Sequence, residues 1–241
     1  MKKYIRTLTI YYDTEISSKE TPLFRGVILN AMGDDANLLF HNHTDKNTFR
    51  YSYPLIQYKR IRGKAAVVCV NEGVDTIGQF IANYDNTVKI GNRVTKLTIN
   101  KVIPSRILVQ TWADPFKYHI QNWLPLNSKN YETFKNITDE EEKKAFLTKI
   151  LKANILSMLK GLSVILDDEL TLEITWLSAP KMLHYKNILM TAFNADFKCN
   201  VSIPNNLSIG KSASLGFGTI FLRKKDDTTP DNEPNSDMNK E

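Results

Sequence analysis

The stretch "LLFHNHTDKNTFRYSYP", Leu38–Pro54, places two of the chain's four histidines one residue apart, and an arginine and two tyrosines follow within ten residues. Histidine is the side chain whose unperturbed pKa lies nearest neutrality, so His41 and His43 can stand one neutral and one protonated at the same pH. Such a pair suits general acid–base cleavage of RNA. One imidazole takes the proton of a ribose 2′-hydroxyl, the other protonates the departing 5′-oxygen, and a nearby cation steadies the charge growing on the phosphoryl oxygens. The nucleophile sits inside the substrate, so this chemistry requires no metal. Two plainer readings compete. His-x-His can be half of a zinc site, but no third and fourth ligand stand at metal spacing, and His119 and His184 lie far off with no cysteine or carboxylate pattern. It can also be a turn carrying two solvated histidines.

Around the pair stand further candidates. Arg50, Tyr51 and Tyr53 can orient a phosphate, stack on a base or supply a phenol; ordinary strand aromatics are the alternative. Lys59 in "IQYKRIRGK" can reach the same site as a cation or be an exposed strand lysine, and Lys64 ends that segment as a candidate RNA contact. Far downstream, "SIGKSASLGFGTIF" (Ser208–Phe221) runs three glycines and several small residues into a strand. Backbone N–H groups there, with Lys211, can cradle phosphates. The glycine spacing is not that of a Walker loop, and a flexible glycine-rich hairpin would share this composition.

These side chains need a scaffold. Tyr4–Tyr12 alternates like a strand, and Thr21-Pro22 opens a short helix with threonine as cap and proline at the first helical position. "YPLIQYKRI" and "KAAVVCVN" form a hairpin around "RGK", "VDTIGQFIANY" is a helix with Ile77, Phe80 and Ile81 on one face, and "RVTKLTINKVI" is a strand. The order β-α-β-β-α-β is the ferredoxin-like module. After Pro104 comes the strand "KYHIQNWLPL", then a capping box, "TDEE" from Thr138 to Glu141, opening a long helix. Its apolar positions are Leu147, Ile150, Leu151, Ile155, Met158 and Leu159, and Gly161 is a natural stop. "ELTLEITWL", "NILMTAFNADFKCNV" and "GFGTIFLRK" are strands. The expected fold is therefore α+β: two tandem ferredoxin-like modules, the second with a reduced or missing second helix. We expect domains at residues 1–104 and 105–224 and a disordered tail at 225–241, with a cleft between the domains as a place for a site.

Composition narrows the class. With 241 residues, 42% hydrophobic and 24% charged, the chain suits a soluble globular protein. Two cysteines cannot build a disulfide framework, and Cys69 in "AAVVCVN" reads as a buried, reduced thiol. There is no signal-peptide h-region and no membrane-length apolar run, so a cytoplasmic protein is expected. The net charge is +6, yet the tail Lys225–Glu241 has six acidic and two basic residues; it carries −4 and leaves +10 on residues 1–224. A body that basic suits a polyanion, nucleic acid before membrane, although a solvated basic surface would look the same.

A glycine-rich loop ending in "GFG" before the last strand of a duplicated ferredoxin-like chain resembles the CRISPR-associated repeat-processing endoribonucleases. These are the sixth numbered Cas family, within the RAMP superfamily. The segment "PLFRGVILN…LLFHNH…YSYPLIQYK…GKAAVVCVNEG" is similar to one branch of that family, in which a His-x-His pair follows the first helix, and the likeness runs from about residue 4 to 223. The resemblance implies a metal-independent cut in CRISPR repeat RNA, leaving 2′,3′-cyclic phosphate and 5′-hydroxyl ends, with no cofactor. It implies that His41 and His43 are the catalytic pair, Tyr51 or Tyr53 the accompanying tyrosine, and Gly210, Gly216, Phe217 and Gly218 the RNA-supporting loop. The loop departs from the family by opening with a single glycine, Gly210, in place of a denser cluster. The expected partners are CRISPR repeat RNA and other Cas proteins of a type I complex, with the chain a monomer or homodimer and no membrane contact. The rival function is a non-catalytic RNA-binding subunit of a CRISPR effector complex, which needs no histidine pair.

Overall fold

Strand β1 (Lys3–Glu15) buries every second residue over its first half, as expected for a strand with an inward face. The computed structural model describes residues 3–31, 53–82, 87–185 and 188–223. Helix α1 (Thr21–Ala31) follows β1 through a 3-10 turn at Ser18–Glu20. Thr21 does not cap it. The chain is already helical there (φ −56°, ψ −43°), and the start is organised one turn earlier, where the Ser17 N–H donates to Glu20 Oε2 at 2.7 Å. Strands β2 (Ile56–Ile61) and β3 (Lys64–Val70) form the expected hairpin around Arg62-Gly63. Both loop residues have positive φ (50° and 80°), the geometry of a two-residue turn whose twist matches the strands.

Helix α2 (Glu72–Ala82) buries Ile77 completely and Ile81 in part. The stretch expected as one strand from Arg93 to Ile103 is two. β4 (Thr87–Ile90) and β5 (Arg93–Lys96) make a small separate hairpin, and β6 (Ile99–Val109) returns to the main sheet. The break lies at Leu97, a buried core residue. Pro104 lies within β6, which continues past it; β6 is an edge strand, where a missing N–H is tolerated.

The first sheet has the order β2-β3-β1-β6, which is that of a ferredoxin-like module. One face carries the apolar core: Phe24 and Ile28 of α1 and Ile77 of α2 pack with Tyr12, Ile56, Tyr58, Ala65, Val67 and Cys69. Phe24 sits edge-on between Tyr12 (5.8 Å) and Tyr58 (6.0 Å). Cys69 is a free, buried thiol whose pKa is pushed up by burial.

The second sheet is built from β7 (Thr111–Trp123), β8 (Leu172–Leu177), β9 (Lys181–Tyr185), β10 (Ile188–Val201) and β11 (Thr219–Leu222). Its order is β11-β7-β10-β8, with β9 pairing β10. Between β7 and β8 lie α3 (Ser128–Asn136) and α4 (Glu140–Gly161). α3 is absent from the sequence expectation because it buries no residue and so carries no apolar stripe. The cap of α4 is Asp139, one residue after the expected Thr138; its carboxylate accepts from the Glu142 N–H at 2.8 Å. Gly161 is the last helical residue, and the left-handed position beyond the helix is filled by Ser163 (φ 53°). Leu147, Leu151, Ile155, Met158 and Leu159 are buried as expected, and Ile150 is half-buried. No second helix lies between β10 and β11; a loop with a 3-10 turn at Ala213–Leu215 stands in its place. The fold is thus a tandem of two ferredoxin-like modules. The chain divides into two compact units, Arg6–Arg106 and, with the first residues of β1, Ile107–Arg223.

Candidate functional site

His41, His43, Arg50 and Tyr51 lie outside the described residues, as does the tail from 225. The candidates that follow them are placed by β2. Ile56 and Tyr58 point into the helix-covered core, so alternation turns Gln57 and Lys59 to the opposite sheet face. Register brings Ala66 and Val68 of β3 to the same face, followed by Tyr11 and Thr9 of β1. This face is unusual in burying its polar groups: Thr7, Thr9, Gln57 and Lys59 are all nearly inaccessible.

Lys59 is 1% exposed, which rules out an exposed strand lysine. Burial drives its pKa well below the ordinary lysine value, because an ammonium loses hydration there. Tyr53 is half-buried, and its hydroxyl accepts from Gln57 Nε2 at 2.8 Å; the same amide donates to the Pro54 carbonyl at 3.2 Å. Burial raises the Tyr53 pKa above its ordinary value of 10, so the phenol stays protonated at neutral pH. It can donate a hydrogen bond there but not act as a base. Lys64 is exposed and ion-paired to Asp13 at 3.2 Å, on a carboxylate that also accepts from Asn100 at 2.6 Å.

The glycine-rich loop belongs to the second unit. Gly210, Gly216 and Gly218 all have positive φ (79°, 81° and 65°), as does Ser212 (58°). At Gly218 a Cβ would run into the Ile209 carbonyl oxygen, and at Gly210 it would come within 2.8 Å of Asn154 Oδ1. That oxygen is held by Trp123 Nε1 at 2.9 Å. The loop is pinned by Ile209 N–H to Gly218 O (2.9 Å), Gly218 N–H to Asn122 O (3.1 Å) and Thr219 Oγ1 to Gly216 O (2.8 Å). It is therefore a fixed turn and not a flexible hairpin. Lys211 projects from it, exposed, and Phe217 is half-buried.

A second cluster was not singled out from the sequence. On β7, His119 Nδ1 stands 2.7 Å from Asp196 Oδ1 of β10, and Arg223 donates to the same oxygen from Nη2 (3.2 Å) and Nε (3.4 Å). Trp176 of β8 lies nearly parallel to the imidazole, with ring centroids 6.4 Å apart. Burial holds His119 below its ordinary pKa despite the opposing pull of Asp196. The only sequence signal was one histidine and one aspartate on separate alternating strands; register alone joins them. Among the described residues no group of three or more His, Cys, Asp or Glu is placed to hold a metal, and no helix is long and apolar enough to cross a membrane.

Comparison with known proteins agrees with the fold. Two family models, one over each module, place the chain among the Cas6-type CRISPR proteins. The Cas6b N-terminal domain model matches residues 3–106 and the Cas6b C-terminal domain model matches residues 110–222. The chain belongs to the Cas6b family. It is similar to a crystal structure of Cas6b, 29% identical, with TM-score 0.83 over 92% of this chain and all of that one. A second structure, of a CRISPR RNA processing endoribonuclease Cas6b, is 25% identical, with TM-score 0.71 and the same coverage. An uncharacterised protein of Methanocaldococcus jannaschii, MJ0978, is 39% identical over 102 residues, which is 42% of this chain and 68% of that protein.

Proposed function

We propose that this protein cuts CRISPR repeat RNA within the repeat, without a metal ion. The observation that carries the reading is the Cas6b likeness running through both modules, together with the likeness to a Cas6b described as a CRISPR RNA processing endoribonuclease. In the reaction, one of His41 and His43 removes the 2′-hydroxyl proton. The O2′–P bond forms as the P–O5′ bond breaks, and the other histidine protonates the departing 5′-oxygen. The products are a 2′,3′-cyclic phosphate and a 5′-hydroxyl end.

Tyr53, kept protonated by burial and held by Gln57, supplies a hydrogen-bond donor, and Tyr51 and Arg50 precede it along the same segment. Lys59 shares a strand face with Gln57, and its burial suits support of the site better than charge neutralisation at phosphate. Lys64, Lys211 and the turn formed by Gly210, Gly216, Phe217 and Gly218 are assigned to the RNA backbone. Residues 1–104 then form the catalytic domain, residues 105–224 the loop-bearing RNA-binding domain, and residues 225–241 an acidic tail.

The test is incubation of the repeat encoded beside this gene with protein and chelator, followed by a denaturing gel and mapping of the cut ends. A single product with a cyclic phosphate is expected. An intact repeat with a shifted native band would instead identify a binding subunit and overturn the catalytic reading.

A further inference from the structure

On the second sheet, register draws one row across four strands. Phe221 of β11 pairs with His119 of β7, His119 with Asp196 of β10, and Asp196 with Trp176 of β8. The apolar neighbours Tyr118, Ile120 and Phe197 face the other way and are buried. The row therefore lies on the opposite face, and Trp176 remains 43% exposed on it. One step along, Lys117 and Lys198 are directly paired across β7 and β10. Like charges set opposite each other in a sheet are unfavourable. Glu173 stands across from Lys198, yet among the described residues neither lysine has an ion-pair partner.

We infer that this face is a second RNA contact, a seat for one unpaired nucleobase on Trp176, with the adjoining phosphates on Lys117 and Lys198. The inference rests on the proposed RNA-cleaving function. Two observations favour a single-stranded base over other ligands. Aromatic side chains in a row on a four-stranded sheet are a known way to stack splayed bases. The indole is backed by an imidazole that Asp196 and Arg223 hold in place, so its orientation is set before a base arrives. Lys117 and Lys198 lie two residues along from His119 and Asp196 on that same face, where a phosphate next to the stacked base can reach them.

The experiment measures equilibrium binding of repeat RNA carrying a 2′-deoxynucleotide at the mapped cut, so that it stays intact. Trp176→Ala is expected to weaken binding by about 5- to 150-fold, the range for losing one stacked base, and Trp176→Phe to retain most of the affinity. An abasic site is moved along the unpaired nucleotides. At one position it should weaken binding to wild type and have no further effect on Trp176→Ala. A merely structural tryptophan would not single out one nucleotide. Lys117→Gln/Lys198→Gln should flatten the salt dependence by about 1.4 in log–log slope, while Trp176→Ala leaves the slope alone. If wild type cuts the repeat and Trp176→Ala binds it as tightly as wild type, or no abasic position couples to Trp176, the inference falls and the proposed function stands. If wild type neither binds nor cuts the repeat, both fall.

Discussion

The two modules share one strand order and differ in what they do with the sheet face opposite their cores. In the first, that face buries polar groups: Thr7, Thr9, Gln57 and Lys59. In the second, it leaves Trp176 and Lys117 in solvent and holds His119, Asp196 and Arg223 at partial burial. The modules also differ in their second crossover, which is a helix, α2, in one and a glycine-pinned loop in the other. The fold therefore does not determine the surface chemistry. Burial on that polar face shifts a pKa, as at Lys59. A wet face whose lysines, Lys117 and Lys198, have no ion-pair partner among the described residues suits holding a polyanion.

The sharpest way to break this division of labour is at the histidine pair. His41→Ala/His43→Ala should lower the cleavage rate by at least 10²–10⁴-fold, about the loss of one proton-transfer group, and largely spare repeat binding, read from single-turnover rates and a native gel. A wild-type rate in the double variant would remove catalysis from the first module.

Next is the loop. Gly218→Ala puts a Cβ against the Ile209 carbonyl at φ 65° and should cost about 3 kcal/mol in urea unfolding. A near-neutral result would show that the turn is not pinned as described.

Lys59→Met tests the dry face, since it removes a buried group whose charged form is disfavoured, and the pH dependence of stability that this group contributes should go with it. The sign with pH follows from the lowered folded pKa. Between that value and the unfolded 10.5 the unfolded chain binds more protons, so wild-type stability rises with pH in this window. Thermal melts run upward in pH toward 10.5 should show that rise in wild type and a flatter profile in Lys59→Met. The smallest effect concerns the helix of the second module. Asp139→Ala should cost about 1 kcal/mol and Thr138→Ala less than about half of that, reversing the preference that a threonine-first capping box would give.

Periodicity carried most of the scaffold. The β2–β3 hairpin, the apolar stripe of α4 and the missing second helix of the second module are all legible in residue order, because each depends on neighbours a few positions apart. Where two local solutions nearly tie, the reading slipped by one or two residues. Thr138 and Asp139 are both good caps, and Gly161 and Ser163 both lie near the end of α4. α3 and the β4–β5 hairpin were missed because short polar elements leave no stripe.

For the site, the sequence by itself supplied the chemistry available: the His-x-His pair, the tyrosines, the glycine-rich turn and a basic body. Tertiary structure alone decided that Lys59 is buried and not exposed, that Gln57 holds Tyr53, and that His119 meets Asp196, Arg223 and Trp176. The physical reason is range. Alternation gives the face a side chain takes, but burial and charge depend on strand register between segments up to 104 residues apart, and no local pattern encodes that pairing.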